Sequence, residues 1–183
     1  MKEEILCAGY GGQGIMVMGR VLAYAAMNSG YHVTWMPSYG AEVRGGTAHS
    51  MVRVHSNSIA SPAVRYPTSC IVMNKPSLLK FSKRVKSHGL LLIDSSKISD
   101  GEIKQAVVGL NNICVKKAPF TEIAMSLGEK KVANMVTVGA FNKVKKLFSI
   151  KELIKAVSFI LRDKDELITI NEKAILHGYN MEI

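Results

Sequence analysis

The chain has 183 residues, 48% of them hydrophobic and 21% charged, with a formal net charge of +10. Such a composition suits a globular domain with a real core, and no internal repeat, low-complexity tract or linker divides residues 1–183. No apolar run approaches the roughly 18 residues that span a bilayer. The start carries Glu3 and Glu4 before a short apolar run and lacks the parts of a signal peptide, so a cytoplasmic location with no membrane partner is expected.

In chain order, residues 5–8 read as a short strand, and 9–14 as a glycine loop. A helix follows over 15–28, with apolar Ile15, Met18, Val21, Leu22 and Ala25 at helical spacing. Residues 31–35 form a second strand that Pro37 should stop. Residues 37–46 are a polar loop. Residues 47–55 alternate as a strand with one wetter face, 56–68 are rich in turn formers, and 69–73 form another strand. A helix over 76–86, a continuous apolar strand over 90–93 closed by Asp94, and a helix near 100–108 come next. A strand at 112–116 and a helix near 120–128 precede a small-residue buried helix over 132–147. Amphipathic helices over 150–161 and about 166–177 complete the chain. This order predicts an α/β fold: a mostly parallel sheet with helices on both faces and a Rossmann-like start.

The cysteines, Cys7, Cys70 and Cys114, each lie in an apolar strand-like run, and none forms a Cys-x-x-Cys pair. They read as reduced, buried thiols. An iron–sulfur cluster usually needs four thiolates, so none is expected on this chain alone, nor any other metal site. The charge is uneven. Residues 1–74 hold five Lys/Arg against three Asp/Glu, and residues 75–183 hold nineteen against eleven. A basic surface attracts nucleic acid, anionic cofactors or acidic proteins. With 7% aromatic residues and scattered lysines, a stacking platform is poorly supported and no nucleic-acid partner is expected.

Gly9, Gly11 and Gly14 match Gly-x-Gly-x-x-Gly between a strand and a helix. Glycines permit the tight turn and let backbone N–H groups approach an anion, while the helix start adds its dipole. A nicotinamide site also wants an acid at the end of the second strand, about 20 residues on. Here that strand ends Val33-Thr34-Trp35-Met36. The missing acid weighs against a dinucleotide dehydrogenase, and no Gly-Lys-Ser/Thr follows to make a P-loop. A stand-alone nucleotide-binding, Rossmann-like protein remains the alternative. A second cluster, Tyr39, Gly40, Arg44, Gly45 and Gly46, also follows a strand, so the two loops should gather at the carboxyl edge of a parallel sheet.

These two loops, with Ile-Ala-Ser-Pro (59–62), Leu-Leu-Ile-Asp (91–94), residues 133–140 and residues 173–178, resemble the gamma subunit of 2-oxoacid:ferredoxin oxidoreductases over nearly the whole chain. The style of residues 35–40 is most similar to the 2-oxoglutarate branch. The family often carries an acid shortly after the proline near 67, where this chain has Thr68 and Ser69. The resemblance implies an enzyme complex that oxidatively decarboxylates a 2-oxoacid with coenzyme A and reduces ferredoxin. It implies thiamine diphosphate with Mg2+ between alpha and beta subunits, and iron–sulfur clusters on beta, delta or equivalent segments. Partners would be alpha, beta and delta, with ferredoxin reached through the complex. This chain would bind no cofactor by itself and help shape the coenzyme A site. No nucleophile–base or acid–base set is visible, so no catalytic residue is expected. Candidate ligand- or partner-binding residues are Gly9, Gly11, Gly12, Gln13, Gly14, Tyr39, Gly40, Arg44, Gly45, Gly46 and Asn134. Gln13 would either point its amide into the site or serve as a polar residue at the helix start. Asn134, in an apolar helix, must find a hydrogen bond and is expected to cap or tie a loop.

Overall fold

A computed structural model describes residues 1–38, 47–110 and 112–183. Within them a six-stranded sheet runs in the order β2-β3-β1-β4-β5-β6. Its strands are β1 (Lys2–Gly9), β2 (His32–Ser38), β3 (Ala48–His55), β4 (Ser69–Val72), β5 (Leu90–Asp94) and β6 (Cys114–Ala118). β1, β4, β5 and β6 pair in parallel, and β3 runs antiparallel to both β1 and β2. The helices are α1 (Ile15–Asn28), α2 (Lys75–Phe81), α3 (Asp100–Val107), α4 (Phe120–Ser126), α5 (Ala133–Lys145), α6 (Ile150–Ile160) and α7 (Asp165–Asn180). No described helix is long and apolar enough to cross a membrane.

Strand alternation divides the core in two. Ile5, Cys7, Val52, Ile71, Leu90 and Leu92 pack with α1 and α4 to α7 on one face. Leu6, Ala8, Met51, Cys70, Val72, Leu91 and Ile93 pack with α2 and α3 on the other. Helices therefore cover both faces, as the βα order implies.

Three features depart from the sequence reading. The second strand does not stop at Pro37: Pro37 pairs opposite Ser50 and the strand runs to Ser38. β2 is the sheet's edge, where a residue lacking an N–H is tolerated. Second, β3 lies between β1 and β2, so the Rossmann-like start lacks the direct β1–β2 pairing of a dinucleotide fold. Third, Cys7 and Cys70 are buried, but Cys114 opens an edge strand and is exposed. Burial raises the thiol pKa of Cys7, and pushes that of Cys70 up to about 12. Both are inert structural groups.

The long helix pair α5–α7 packs backbone on backbone. A Cβ at Gly178 would strike the Val136 carbonyl, and one at Gly139 would reach the Ile175 carbonyl and lie 2.8 Å from the Tyr179 nitrogen. At the amino edge of the sheet, Glu3 and Glu4 are buried with partners in place. Glu4 holds Arg53 Nη2 at 2.5 Å and Lys86 Nζ. Glu3 accepts from Thr68 Oγ1 at 2.7 Å and Ser69 Oγ at 2.6 Å, and pairs with Lys145 at 3.1 Å. Thus the departure at Thr68 and Ser69 supplies hydroxyl donors to an acid on β1.

Burial alone would raise the Glu4 pKa. The hydrogen bond and charge of Lys86, with the charge of Arg53, outweigh it and hold the carboxyl below its ordinary value. A depressed carboxylate stabilises the fold above its unfolded value of about 4.3 and loses that contribution as pH falls through the folded value. Glu4→Gln is therefore expected to cost about 2 kcal/mol at pH 7, with the gap to wild type closing in strong acid; urea titrations at the two pH values check this. Gly178→Ala should cost about 3 kcal/mol at both pH values, because the Gly178–Val136 contact is backbone on backbone with no titrating group to relieve.

Candidate functional site

The glycine loop leaves β1 at Gly9. A Cβ there would lie 2.6 Å from Gln13 Oε1 and 2.7 Å from Ile15 Cδ1, so only glycine fits without displacement. The loop closes through Gln13 N–H donating to Tyr10 O at 3.2 Å. The Gln13 side chain braces it twice: Oε1 accepts from Tyr10 N–H at 2.6 Å, and Nε2 donates to Met73 O at 3.0 Å. Met73 N–H in turn donates to Ala8 O at 2.8 Å, which locks the ends of β1 and β4 together.

Gly12 has φ +87° and Gly14 φ +69°, conformations that favour glycine. At Gly14 a side chain would also strike the Asn134 amide. Asn134 Nδ2 donates to Gly14 O at 3.2 Å, tying the start of α1 to the start of α5. Helix α1 has no side-chain cap and no acid in its first turn. Its positive end is thus left for something else to complement.

The loop opens on a cleft of about 580 Å³ at the carboxyl edge of the sheet. Tyr10, Gly11, Gly12 and Gln13 form one wall. Met73, Asn74 and Lys75 follow β4, Asp94 ends β5 and Lys97 lies beyond it, and Thr121 and Lys130 close the far side. A smaller cavity of about 230 Å³ shares Gly12, Gln13 and Lys130 and adds Lys131. Together they have the size and position expected of a ligand site in an open α/β sheet.

The charges of this cleft are one-sided. Asp94 is buried and spends its carboxylate inside the protein: Oδ1 accepts from Ser96 N–H at 3.1 Å and Ser96 Oγ–H at 2.6 Å, and Oδ2 accepts from Thr121 Oγ1–H. Lys75 pairs with Glu102 at 2.5 Å. Hydrogen bonds from Lys75 and Ser99 pull the Glu102 carboxyl down to about 2. Lys97 and Lys130 have no carboxylate partner among the described residues and are exposed. Uncapped helix N–H groups, glycine backbone and two free ammonium groups are the kinds of group that complement an anion. Among the described residues no His, Cys, Asp and Glu cluster is placed to hold a metal ion, and the cysteine set does not fit an iron–sulfur cluster.

Of the residues singled out from sequence, Gly11, Gly12 and Gln13 line the cleft, whereas Gly9, Gly14 and Asn134 shape it from behind. Gln13 lines the wall, but its amide is engaged at both ends. Tyr39, Gly40, Arg44, Gly45 and Gly46 lie outside the described residues. The flanking Ser38 and Ala48 sit at the same carboxyl edge, Ala48 pairing with Gly9. Asn74, Lys97, Thr121 and Lys130 are absent from the sequence list. Their signal was positional, since each follows the end of a parallel strand or sits in a loop beyond one.

Residues 4–181 match the family model described as pyruvate ferredoxin/flavodoxin oxidoreductase. Ketoisovalerate oxidoreductase subunit VorA of Methanothermobacter thermautotrophicus is 33% identical over 97% of this chain, which spans 36% of that longer protein. The 2-oxoglutarate synthase subunit KorC of Methanothermobacter marburgensis is 34% identical over 86% of this chain and 85% of its own length. The crystal structure of a keto/oxoacid ferredoxin oxidoreductase gamma subunit from Geobacter sulfurreducens shares the fold with a TM-score of 0.77 and 27% identity, covering 97% of this chain and 96% of that one.

Gln13→Ala should cost about 1–3 kcal/mol, because it strips the partner from the Tyr10 N–H and breaks the tie to Met73. Amide exchange at Tyr10 and at residues 11–14 should accelerate while β5 keeps its protection. Unchanged exchange in the loop would mean that the brace is idle.

Proposed function

Because the chain belongs to the pyruvate ferredoxin/flavodoxin oxidoreductase family, we propose that it is the gamma subunit of a 2-oxoacid:ferredoxin oxidoreductase, of the 2-oxoglutarate branch. It would work as one gamma-type domain over 1–183, with no catalytic residue of its own. The complex would convert a 2-oxoacid and coenzyme A into an acyl-CoA and pass the electrons to ferredoxin. The KorC relative, similar along most of both chains, supports the choice of substrate branch.

The observation that carries this reading is the glycine-walled, cationic cleft. Coenzyme A bears a pyrophosphate and a 3′-phosphate, and the cleft offers the glycine-loop backbone and the ammonium groups of Lys97 and Lys130, with the glycine loop next in chain to the uncapped start of α1. These residues would bind and orient the co-substrate. Thiamine diphosphate with Mg2+ supplies the decarboxylation chemistry when bound, and would reside on alpha and beta. Iron–sulfur clusters on beta, delta or equivalent segments would take the electrons. An apolar groove of about 260 Å³, lined by Tyr24, Met27, Trp35 and Phe159, supports assembly with such subunits. The VorA relative, in which the matching region is about a third of a longer chain, fits a domain that works beside others.

Purification of the chain from its own cells, with mass spectrometry of what co-purifies and an assay of coenzyme A-dependent dye reduction, tests the reading. Thiamine-binding and iron–sulfur subunits should co-purify, and 2-oxoglutarate should outperform 3-methyl-2-oxobutanoate. A partnerless, inactive chain would sink it. In the active complex, Lys97→Ala and Lys130→Ala should each raise KM for coenzyme A about threefold to fivefold, the scale of an exposed ion pair, and leave kcat near wild type. Added salt should shrink the difference.

A further inference from the structure

Asn74 has two polar ends with different fates. It sits between β4 and α2, only 4% exposed, and lines the cleft. Its Oδ1 accepts the Ser77 N–H at 2.8 Å and so caps α2. That bond sets the orientation of the amide, since a flip would put donor against donor. Nδ2 is left with no hydrogen-bond partner.

Three neighbouring acceptors of the cleft are already in use. Met73 O takes the Gln13 amide, Gln13 Oε1 takes Tyr10 N–H, and the Asp94 carboxylate takes Ser96 and Thr121. The lysines of the cleft, Lys75, Lys97 and Lys130, are donors themselves. Buried donors without partners are rare in folded proteins and call for an explanation. A cap needs only an acceptor, which Ser or Asp supplies as well as Asn does. What Asn adds is an amide donor, which Asp lacks altogether and Ser replaces with a single shorter-reaching O–H.

We infer that Asn74 is a ligand-contacting specificity residue: its Nδ2 donates to a phosphate oxygen of the anionic co-substrate in the carboxyl-edge cleft. This rests on the proposal that the cleft takes coenzyme A. Nδ2 completes a set in which the glycine loop and the lysines supply charge and the amide supplies a directed hydrogen bond.

The test uses Asn74→Ser and Asn74→Asp in the complex that co-purifies with the chain. Both keep an acceptor for Ser77 N–H; Asp removes the donor outright, and Ser leaves only a shorter-reaching O–H in place of the amide. Tm should stay within about 2 °C of wild type. KM for coenzyme A should rise about tenfold for Asn74→Ser, equivalent to about 1.4 kcal/mol, and further for Asn74→Asp, with kcat retained. A wild-type KM in both variants overturns the inference while leaving the coenzyme A reading intact. A KM rise that comes only with an equal loss of Tm in both variants assigns Asn74 to the cap alone and also overturns it. If the wild-type complex shows no saturable dependence on coenzyme A, both readings fail together.

Discussion

The crossing of α5 over α7 is the contact on which the site depends. Glycines at 139 and 178 remove the side chains that would hold the two backbones apart. With α5 pressed into place, its first turn presents Asn134 beneath the glycine loop, where it grips the Gly14 carbonyl. That grip sets the start of α1. Gln13 then fastens the loop to the end of β4. A glycine-rich binding loop is thus held by two groups far away in sequence, the Met73 carbonyl and the Asn134 amide. Two of the segments that carry the family resemblance, 133–140 and 173–178, meet at this crossing. Their character reflects helix packing as much as ligand chemistry.

The two edges of the sheet treat charge in opposite ways. At the amino edge Glu3 and Glu4 are buried, Glu4 matched by two cations and Glu3 by a cation and two hydroxyls within the same fold. Such a cluster is self-contained, and its energy appears in folding. At the carboxyl edge the acid, Asp94, is consumed by Ser96 and Thr121, while Lys97 and Lys130 are left over. A surplus of one sign beside an uncapped helix start raises the local concentration of anions. The net charge of +10 therefore says less than its placement.

Much of the fold was legible because strand and helix periods are local. The continuous apolar run at 90–93 and the alternation at 47–55 fall where β5 and β3 lie, and the glycine loop lies between β1 and α1 as read. What was illegible depends on neighbours distant in sequence. Pro37 stays in a strand because that strand is an edge, and edge position follows from the insertion of β3 beside β1. Cys114 is exposed for the same kind of reason, at the other edge. Gln13 reads from sequence either as an amide pointing into the site or as a polar group at a helix start, but its amide braces the loop to a carbonyl 60 residues away. Nothing local singles out Asn74; its unpartnered Nδ2 appears only in the folded cleft, where Met73 O and the Asp94 carboxylate are already engaged.

The central claim is that the carboxyl-edge cleft of this subunit holds the phosphate-bearing co-substrate. Hydrogen–deuterium exchange of the assembled complex, with and without coenzyme A, tests it most directly. Coenzyme A should slow exchange at residues 10–17, 74–77 and 95–97, and leave the amino-edge residues 2–4 and 53–56 unchanged. Protection confined to other parts of this chain, or none at all while the complex turns over, would contradict the claim.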